Sequence, residues 1–243
     1  MEKAYKLLAY QRQISNKKAK ELIDSGVVYV GDKKVKIARA LMDKNTKFRV
    51  ESIEKIEIIY EDNDILVVNK PALIDSYRVA YSVGRATPIH RLDRETSGVL
   101  LLAKNETFLN RAVEEFREKR VKKIYTAWVD GIFFEETTVD KPISTFKRGG
   151  KSFSKIDRRG REAITTIRPI LIQGKKSKVE IEIKTGRTHQ IRVHLSYIGY
   201  PIIGDEYYGS PTKSKRVLLH AKYISLLKYG FEAKEPKDIL KYK

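Results

Sequence analysis

Asp93 stands between Arg91 and Arg94 in the segment IHRLDRETSGVLLLAKN, residues 89–105. Nearby cations favour the ionised form of a carboxylate. An ionised aspartate on a rigidly backed loop can act as a nucleophile or as a base. The apolar run from Val99 to Ala103 supplies that backing as a buried strand. Thr96, Ser97 and Gly98 can brace the loop through local hydrogen bonds and a tight turn. An aspartate of this kind more often caps a turn or pairs with an arginine, so residue type alone does not decide its role. A second segment, KTGRTHQIRVHLSYIGYPIIGDEYYG, covers residues 184–209. Alternation there permits a strand at 189–195, but a helix is the better reading, with Thr188 capping its start and Gly199 its end. Ile191, Leu195 and Ile198 then form one apolar stripe. Arg192 lies off the stripe, near His189 and Ser196, and its guanidinium could grip a carboxylate with two hydrogen bonds.

Several chemistries are excluded by what these segments lack. HRLD resembles a kinase catalytic loop only superficially: Leu92 interrupts the pattern, and no glycine-rich phosphate loop or Asp-Phe-Gly occurs. No serine sits in a Gly-x-Ser-x-Gly elbow. No glycine-rich cofactor loop follows a strand, which argues against a methyltransferase. The chain has no cysteine, so disulfides, thiolate zinc sites and a cysteine nucleophile are ruled out. Four histidines without carboxylates at ligand spacing predict no metal site.

The elements around these residues can be read from periodicity. Ser15 caps a predicted helix to about Ser25, with Ala19, Leu22 and Ile23 on one face, and Gly26 ends it. Val27 to Val30 reads as a strand, with Gly31-Asp32 turning into Lys33 to Ile37. In IEIIYEDNDILVVNKP, Asp62-Asn63-Asp64 supplies a hairpin turn before the apolar strand Ile65 to Val68. Ser76 to Pro88 reads as irregular. Asn105 caps a predicted helix to about Lys119, with Phe108, Leu109, Ala112, Val113 and Phe116 inward. Ile124 to Val129 alternates as a strand, so Tyr125 faces away from Trp128. Residues 145–161 form a basic, glycine-bearing loop whose phenylalanines could stack on bases. Ala163 to Ile170 pairs with Lys178 to Lys184, where Val179, Ile181 and Ile183 share a face. The expected fold class is α+β, an antiparallel or mixed sheet with flanking helices.

Charge points to the partner. Lys and Arg total 50 against 31 Asp and Glu in 243 residues, a net charge of +19, which favours a polyanion such as nucleic acid. Six lysines, among them Lys17, Lys18, Lys33 and Lys34, surround the first helix and hairpin and suit RNA. Residues 1–51 are expected to be a separate unit and 52–243 the larger domain. No signal peptide or membrane helix is expected, which fits the cytoplasm. No apolar dimer stripe stands out, so a monomer is expected.

The stretch SNKKAKELIDSGVVYVGDKKV resembles the S-four domain, a small RNA-binding module. HRLDRETSGVLLLAKN, KKIYTAWVDG, TGRTHQIRVHLSYIGYPIIGDEYYG and LLHAKYISL, in that order, resemble the RluA family of pseudouridine synthases. That resemblance implies a pseudouridine synthase fold and isomerisation of uridines in folded RNA without a cofactor. It implies that Asp93 is the catalytic carboxylate and that Arg192 pairs with it, keeping it ionised and oriented. Tyr125 would pack on the target base and help to deprotonate it. Arg91 would enter the RNA stack in place of the flipped uridine, and Leu218 or Leu219 would form an apolar wall. His90 and Arg187 fall within the same motifs as substrate-binding positions. By analogy, large-subunit ribosomal RNA is the first choice of substrate; transfer RNA and a non-catalytic RNA-binding role are the alternatives. One departure is visible: the family usually follows Asn-Lys-Pro with a glycine, and NKPALIDSYRVAYSVGRATP does not. Its expected effect is on the pocket rim or RNA contacts.

Overall fold

A computed structural model describes residues 1–24, 26–50, 56–84, 86–148 and 151–242. It forms two compact units, Met1–Lys55 with Tyr81–Gly84, and Ile56–Ala80 with Arg85–Lys243. The expected division between residues 51 and 52, the Ser25 end of the first predicted helix and Gly149-Gly150 of the basic loop lie outside the described residues.

The first unit contains β1 (Glu2–Lys3), α1 (Ala4–Arg12), α2 (Asn16–Asp24), β2 (Val28–Val30), β3 (Lys33–Lys34), β4 (Leu41–Met42) and β5 (Arg49–Val50). Ser15 caps α2, its hydroxyl accepting from the Lys18 amide at 3.1 Å. Ala19 and Ile23 are buried on one helix face against Leu8, Val28, Val35 and Phe48. Gly26 has φ +72° where the chain leaves α2 for the β2–β3 hairpin. The helix α1 was not read from sequence; its pattern is weak and no side-chain hydrogen bond caps its start at Lys3.

The second unit contains β6 (Glu57–Glu61), β7 (Ile65–Lys70), all but the last two residues of α3 (Ser76–Ser82), β8 (Thr87–Pro88), β9 (Ser97–Ala103), α4 (Glu106–Arg117), β10 (Lys122–Asp130), β11 (Thr137–Asp140), β12 (Ile143–Arg148) and β13 (Lys151–Ile156). It continues with β14 (Ile164–Gln173), β15 (Lys176–Ile183), α5 (Gln190–Tyr197), β16 (Leu219–Leu226), β17 (Tyr229–Glu232) and α6 (Lys237–Leu240). One sheet runs β11-β14-β15-β10-β16-β9-β7-β6, with β17 beside β16 and β8 beside β9. It is mixed: β9 and β16 are parallel through Ser97–His220 and Gly98–Ala221, while the remaining ladders are antiparallel. One apolar cluster gathers Trp128, Ile167, Ile181, Leu195 and Leu218. Another joins Ile65, Leu101 and Ile224 to Phe108 and Ala112 of α4.

β15 matches the expected period, with Val179, Ile181 and Ile183 all buried, whereas β10 is buried without a break from Thr126 to Val129. Four local readings need correction. Ser76–Ser82 is a helix, not irregular chain: Ser76 Oγ bonds both the amide and the carbonyl of Leu92, and Val79 is buried. Val113 is half exposed, because α4 buries the Phe108–Ala112 side and leaves Val113 at a cavity mouth. The basic loop is a two-stranded hairpin, β12–β13, in which Phe146 and Phe153 stack on each other with ring centres 5.9 Å apart. Finally, α5 is entered through His189 at φ +55° and not through a Thr188 cap. The buried Gln190 side chain instead reaches back through Oε1 to accept from the Arg187 amide at 3.0 Å, which ties the preceding turn to the start of the helix.

Candidate active site

A cavity of about 660 Å³ lies within the second unit, lined by residues from the 89–96 loop, α4, β10, the turn after β15, α5 and Leu219. Asp93, Tyr125, Arg192, Arg91, His90, Arg187 and Leu219 all line it. Leu218 does not; it is buried in the core behind. Lys17, Lys18, Lys33 and Lys34 are exposed on the first unit.

The Asp93 loop is held on several sides. The Thr96 amide donates to the Asp93 carbonyl at 3.1 Å, closing a tight turn. Lys70 is fully buried and its ammonium donates to the carbonyls of Pro71, Ile74 and Arg94. Burial lowers the Lys70 pKa to about 7, against the opposing pull of Asp75, Asp93 and Glu95. Arg94 donates from Nε to the Leu73 carbonyl at 3.0 Å. Ser97 Oγ lies 2.9 Å from His220 Nδ1 on the neighbouring strand, so its bracing bond is long-range and not local.

Arg192 is 2% exposed and its fork closes on Asp205, with Nε to Oδ2 at 2.6 Å and Nη2 to Oδ1 at 2.8 Å. The expected bidentate grip exists, but its carboxylate is Asp205 and not Asp93. Only Nη1 is left for Asp93, at 3.7 Å from Oδ2, and it is 4.0 Å from Glu95. Burial lowers the Arg192 pKa, yet the bonds to Asp205 and the charges of Asp205, Asp93 and Glu95 outweigh it and hold the guanidinium charged. The Tyr208 ring lies 5.0 Å from that guanidinium. Asp205 is the functional residue that the sequence reading missed. It lay in the quoted PIIGDEYYG run, directly after Gly204, where φ is +83° and a Cβ would come within 2.2 Å of the Arg216 carbonyl oxygen, which excludes a side chain.

His189 Nε2 is 3.9 Å from Asp93, but burial keeps the ring's pKa below its usual value despite that carboxylate. His90 is likewise held neutral, with a pKa lowered to about 4 by burial and then by Lys123. Its Nε2 accepts from the Leu101 amide at 3.2 Å and its ring stacks on Phe116. Burial and the Asp93 charge raise the Tyr125 pKa well above that of a free phenol. Tyr125 is therefore a protonated wall of the cavity, and these surroundings do not favour it as a base. Among the described residues no group of His, Asp and Glu could hold a metal ion.

The arrangement is a carboxylate at the floor of a cationic, partly apolar cavity, backed by a charged guanidinium. Residues 64–197 match a family profile described as RNA pseudouridylate synthase. The chain belongs to the RluA-like family of RNA pseudouridine synthases. It is 51% identical over 240 residues to an "Uncharacterized RNA pseudouridine synthase" of Helicobacter pylori, covering 98% of this chain and 99% of that protein. It is 37% identical over 227 residues to "Ribosomal large subunit pseudouridine synthase C" of Buchnera aphidicola, covering 82% and 71% respectively. The solved structure titled "Human RNA Pseudouridylate Synthase Domain Containing 1" superposes with a TM-score of 0.66 at 30% identity, over 78% of this chain and 86% of that one. As a pseudouridine synthase the chain is an isomerase acting on RNA, and its mixed-sheet α+β unit is the pseudouridine synthase fold.

Proposed function

We propose that this synthase isomerises uridines of large-subunit ribosomal RNA, with Asp93 as the catalytic carboxylate. The observation that carries the reading is the Asp93 carboxylate facing the cavity beside Tyr125, with the Asp205-anchored Arg192 behind it. The rRNA choice rests on relatives whose names specify the ribosomal large subunit.

The reaction breaks the bond from ribose C1′ to uracil N1, turns the base and rejoins C1′ to uracil C5. C5 then loses its proton and N1 gains one, so atoms and electrons balance without a redox or hydrolytic partner. No cofactor is required. Asp93 attacks the sugar or the base, or removes a ribose proton. Arg192 orients it, Tyr125 and Leu219 wall the base, and Arg91, exposed at the rim, fills the stack that the flipped uridine leaves. Lys17, Lys18, Lys33 and Lys34 of the S-four-like first unit add phosphate contacts. The protein acts as a monomer in the cytoplasm.

The test is pseudouridine mapping by carbodiimide labelling on unmodified RNA incubated with wild type or Asp93→Asn. New reverse-transcription stops in ribosomal RNA with wild type alone are the expected result. Turnover by Asp93→Asn would sink the catalytic assignment, and stops confined to transfer RNA would replace the substrate.

A further inference from the structure

The described residues bury five Lys or Arg side chains: Lys70, Lys123, Lys178, Arg192 and Arg216. Four have the partners that a buried cation needs. Lys178 lies 2.6 Å from Glu235, Arg192 grips Asp205, Arg216 grips Asp238, and Lys70 has three carbonyls. Lys123 differs. It is 8% exposed, its ammonium has one acceptor, the Thr185 carbonyl at 3.3 Å, and among the described residues no carboxylate comes within ion-pair distance.

Its surroundings add to the cost. Arg187, from the turn after β15, brings a like charge, and burial followed by Arg187 lowers the Lys123 pKa to about 8. His90 faces it from the Asp93 loop but is held neutral. From α4, Phe116 offers a ring 5.7 Å away, which solvates a cation only weakly. Arg187 Nε donates to the Glu162 backbone carbonyl at 2.8 Å and feels the Glu162 charge, but the Glu162 carboxylate itself is engaged by Lys119 at 2.5 Å. Arg161 and Lys184 line the same cavity, in which Asp93 is the sole carboxylate among the lining residues. Among the described residues Asp93 lies within ion-pair distance of His189 and Arg192 but of neither Lys123 nor Arg187, so these two cations face the cavity without a paired carboxylate. Such a pair is relieved by an anion with several acceptor oxygens.

Position narrows the anion's chemistry. Lys123 and Tyr125 are two residues apart on β10, so both side chains leave the same face, about 6–7 Å apart along the strand. An anion on Lys123 therefore lies within one nucleotide's reach of a base held at Tyr125. We propose that Lys123 and Arg187 form a phosphate subsite that takes the backbone phosphodiester adjoining the uridine presented to Asp93. This rests on the reading of the cavity as the RNA-modifying site.

The test measures binding, not turnover. A fluorescently labelled oligouridylate is titrated by anisotropy across a KCl series with wild type, Lys123→Met and Lys123→Arg. Lys123→Met should weaken binding and lower the slope of log affinity against log salt by about 0.7, one single-strand phosphate contact; Lys123→Arg should keep the slope. A wild-type slope in Lys123→Met, with its melting temperature unchanged, overturns the subsite. A second measurement does not depend on that variant's folding. Phosphate binding raises the pKa of Lys123, so wild-type affinity should fall as pH rises from about 7 to about 9.5. Lys123→Arg should lose that fall, because arginine stays charged. An identical pH profile in Lys123→Arg overturns the proposal as well. Absence of pseudouridine formation on every RNA would sink the functional reading while leaving these slopes in place, so the two failures are distinguishable.

Discussion

Arg192 carries one charge and meets three carboxylates, those of Asp205, Asp93 and Glu95. Asp205 takes two of its three guanidinium nitrogens, which fixes the plane in which the third is presented to Asp93. Asp205 does not line the cavity, so it acts through Arg192 and is a positioning residue. Asp205→Ala leaves a buried guanidinium without its partner and should cost about 3–5 kcal/mol in urea denaturation. Asp205→Asn keeps the shape and part of the hydrogen bonding. It should lower kcat by about tenfold or more, on the scale of a misplaced charge at an active site, with KM little changed. A wild-type kcat in Asp205→Asn, measured by tritium release from labelled RNA, would remove the positioning role.

The elements around Asp93 depend on two backbone positions. Gly98 has φ +120° where β9 pairs in parallel with β16, and a Cβ there would meet the Ala221 carbonyl oxygen at 2.1 Å. Gly98→Ala must force the two strands apart just beyond the Asp93 loop. The expected result is loss of soluble protein or a stability decrease above about 3 kcal/mol; a melting temperature within a few degrees of wild type would contradict the tight junction. Leu73 is the second position. It adopts φ +67°, a left-handed conformation that costs a branched residue about 1–2 kcal/mol. It lies two residues after Pro71, in the stretch where the family's glycine is missing. Its carbonyl bond from Arg94 and the Lys70 bonds on either side hold it there. The side chain is 45% exposed and contributes little burial. Leu73→Gly should therefore leave stability unchanged or raise it by up to about 1 kcal/mol, and Leu73→Val should lower it, in paired urea titrations.

At the scale of the whole molecule, all four histidines have pKa values pulled below the ordinary one, in each case chiefly by burial. A folded-state pKa below the unfolded one means that the unfolded chain binds protons first as pH falls. Stability should be fully present above about 6.5 and decline as pH drops from there; for His90 the decline extends to its folded value of about 4. His90 alone should account for about 2 kcal/mol of that loss, after allowance for its partial exposure. Urea midpoints at a series of pH values test this, with His90→Gln expected to flatten the profile between pH 6.5 and 4; an unchanged slope would contradict the neutral, half-buried ring. The net charge of +19 has a separate signature, RNA affinity that falls steeply with salt.

What the sequence determined by itself was local or chemical. The Asn105 cap is realised at 2.8 Å to the Phe108 amide, and the alternation read for β15 is realised in the buried Val179, Ile181 and Ile183. Both follow from periods of two and 3.6 residues and from side chains bonding their own backbone within a turn. The motif containing Asp93 was legible through family resemblance, since no periodicity singles out one aspartate among many. Other features depended on which elements meet. Arg192 chose Asp205 over Asp93 because Gly204 lets the chain pass close to Arg216 and brings Asp205 under α5. The helix at Ser76–Ser82 owes its place to Ser76 bonding Leu92, 16 residues away. Lys123 reads in sequence as one of 50 basic residues, and only the tertiary structure buries it beside Arg187 without a carboxylate. Burial and partner choice are properties of the packed fold, and the short-range pattern of the chain does not encode them.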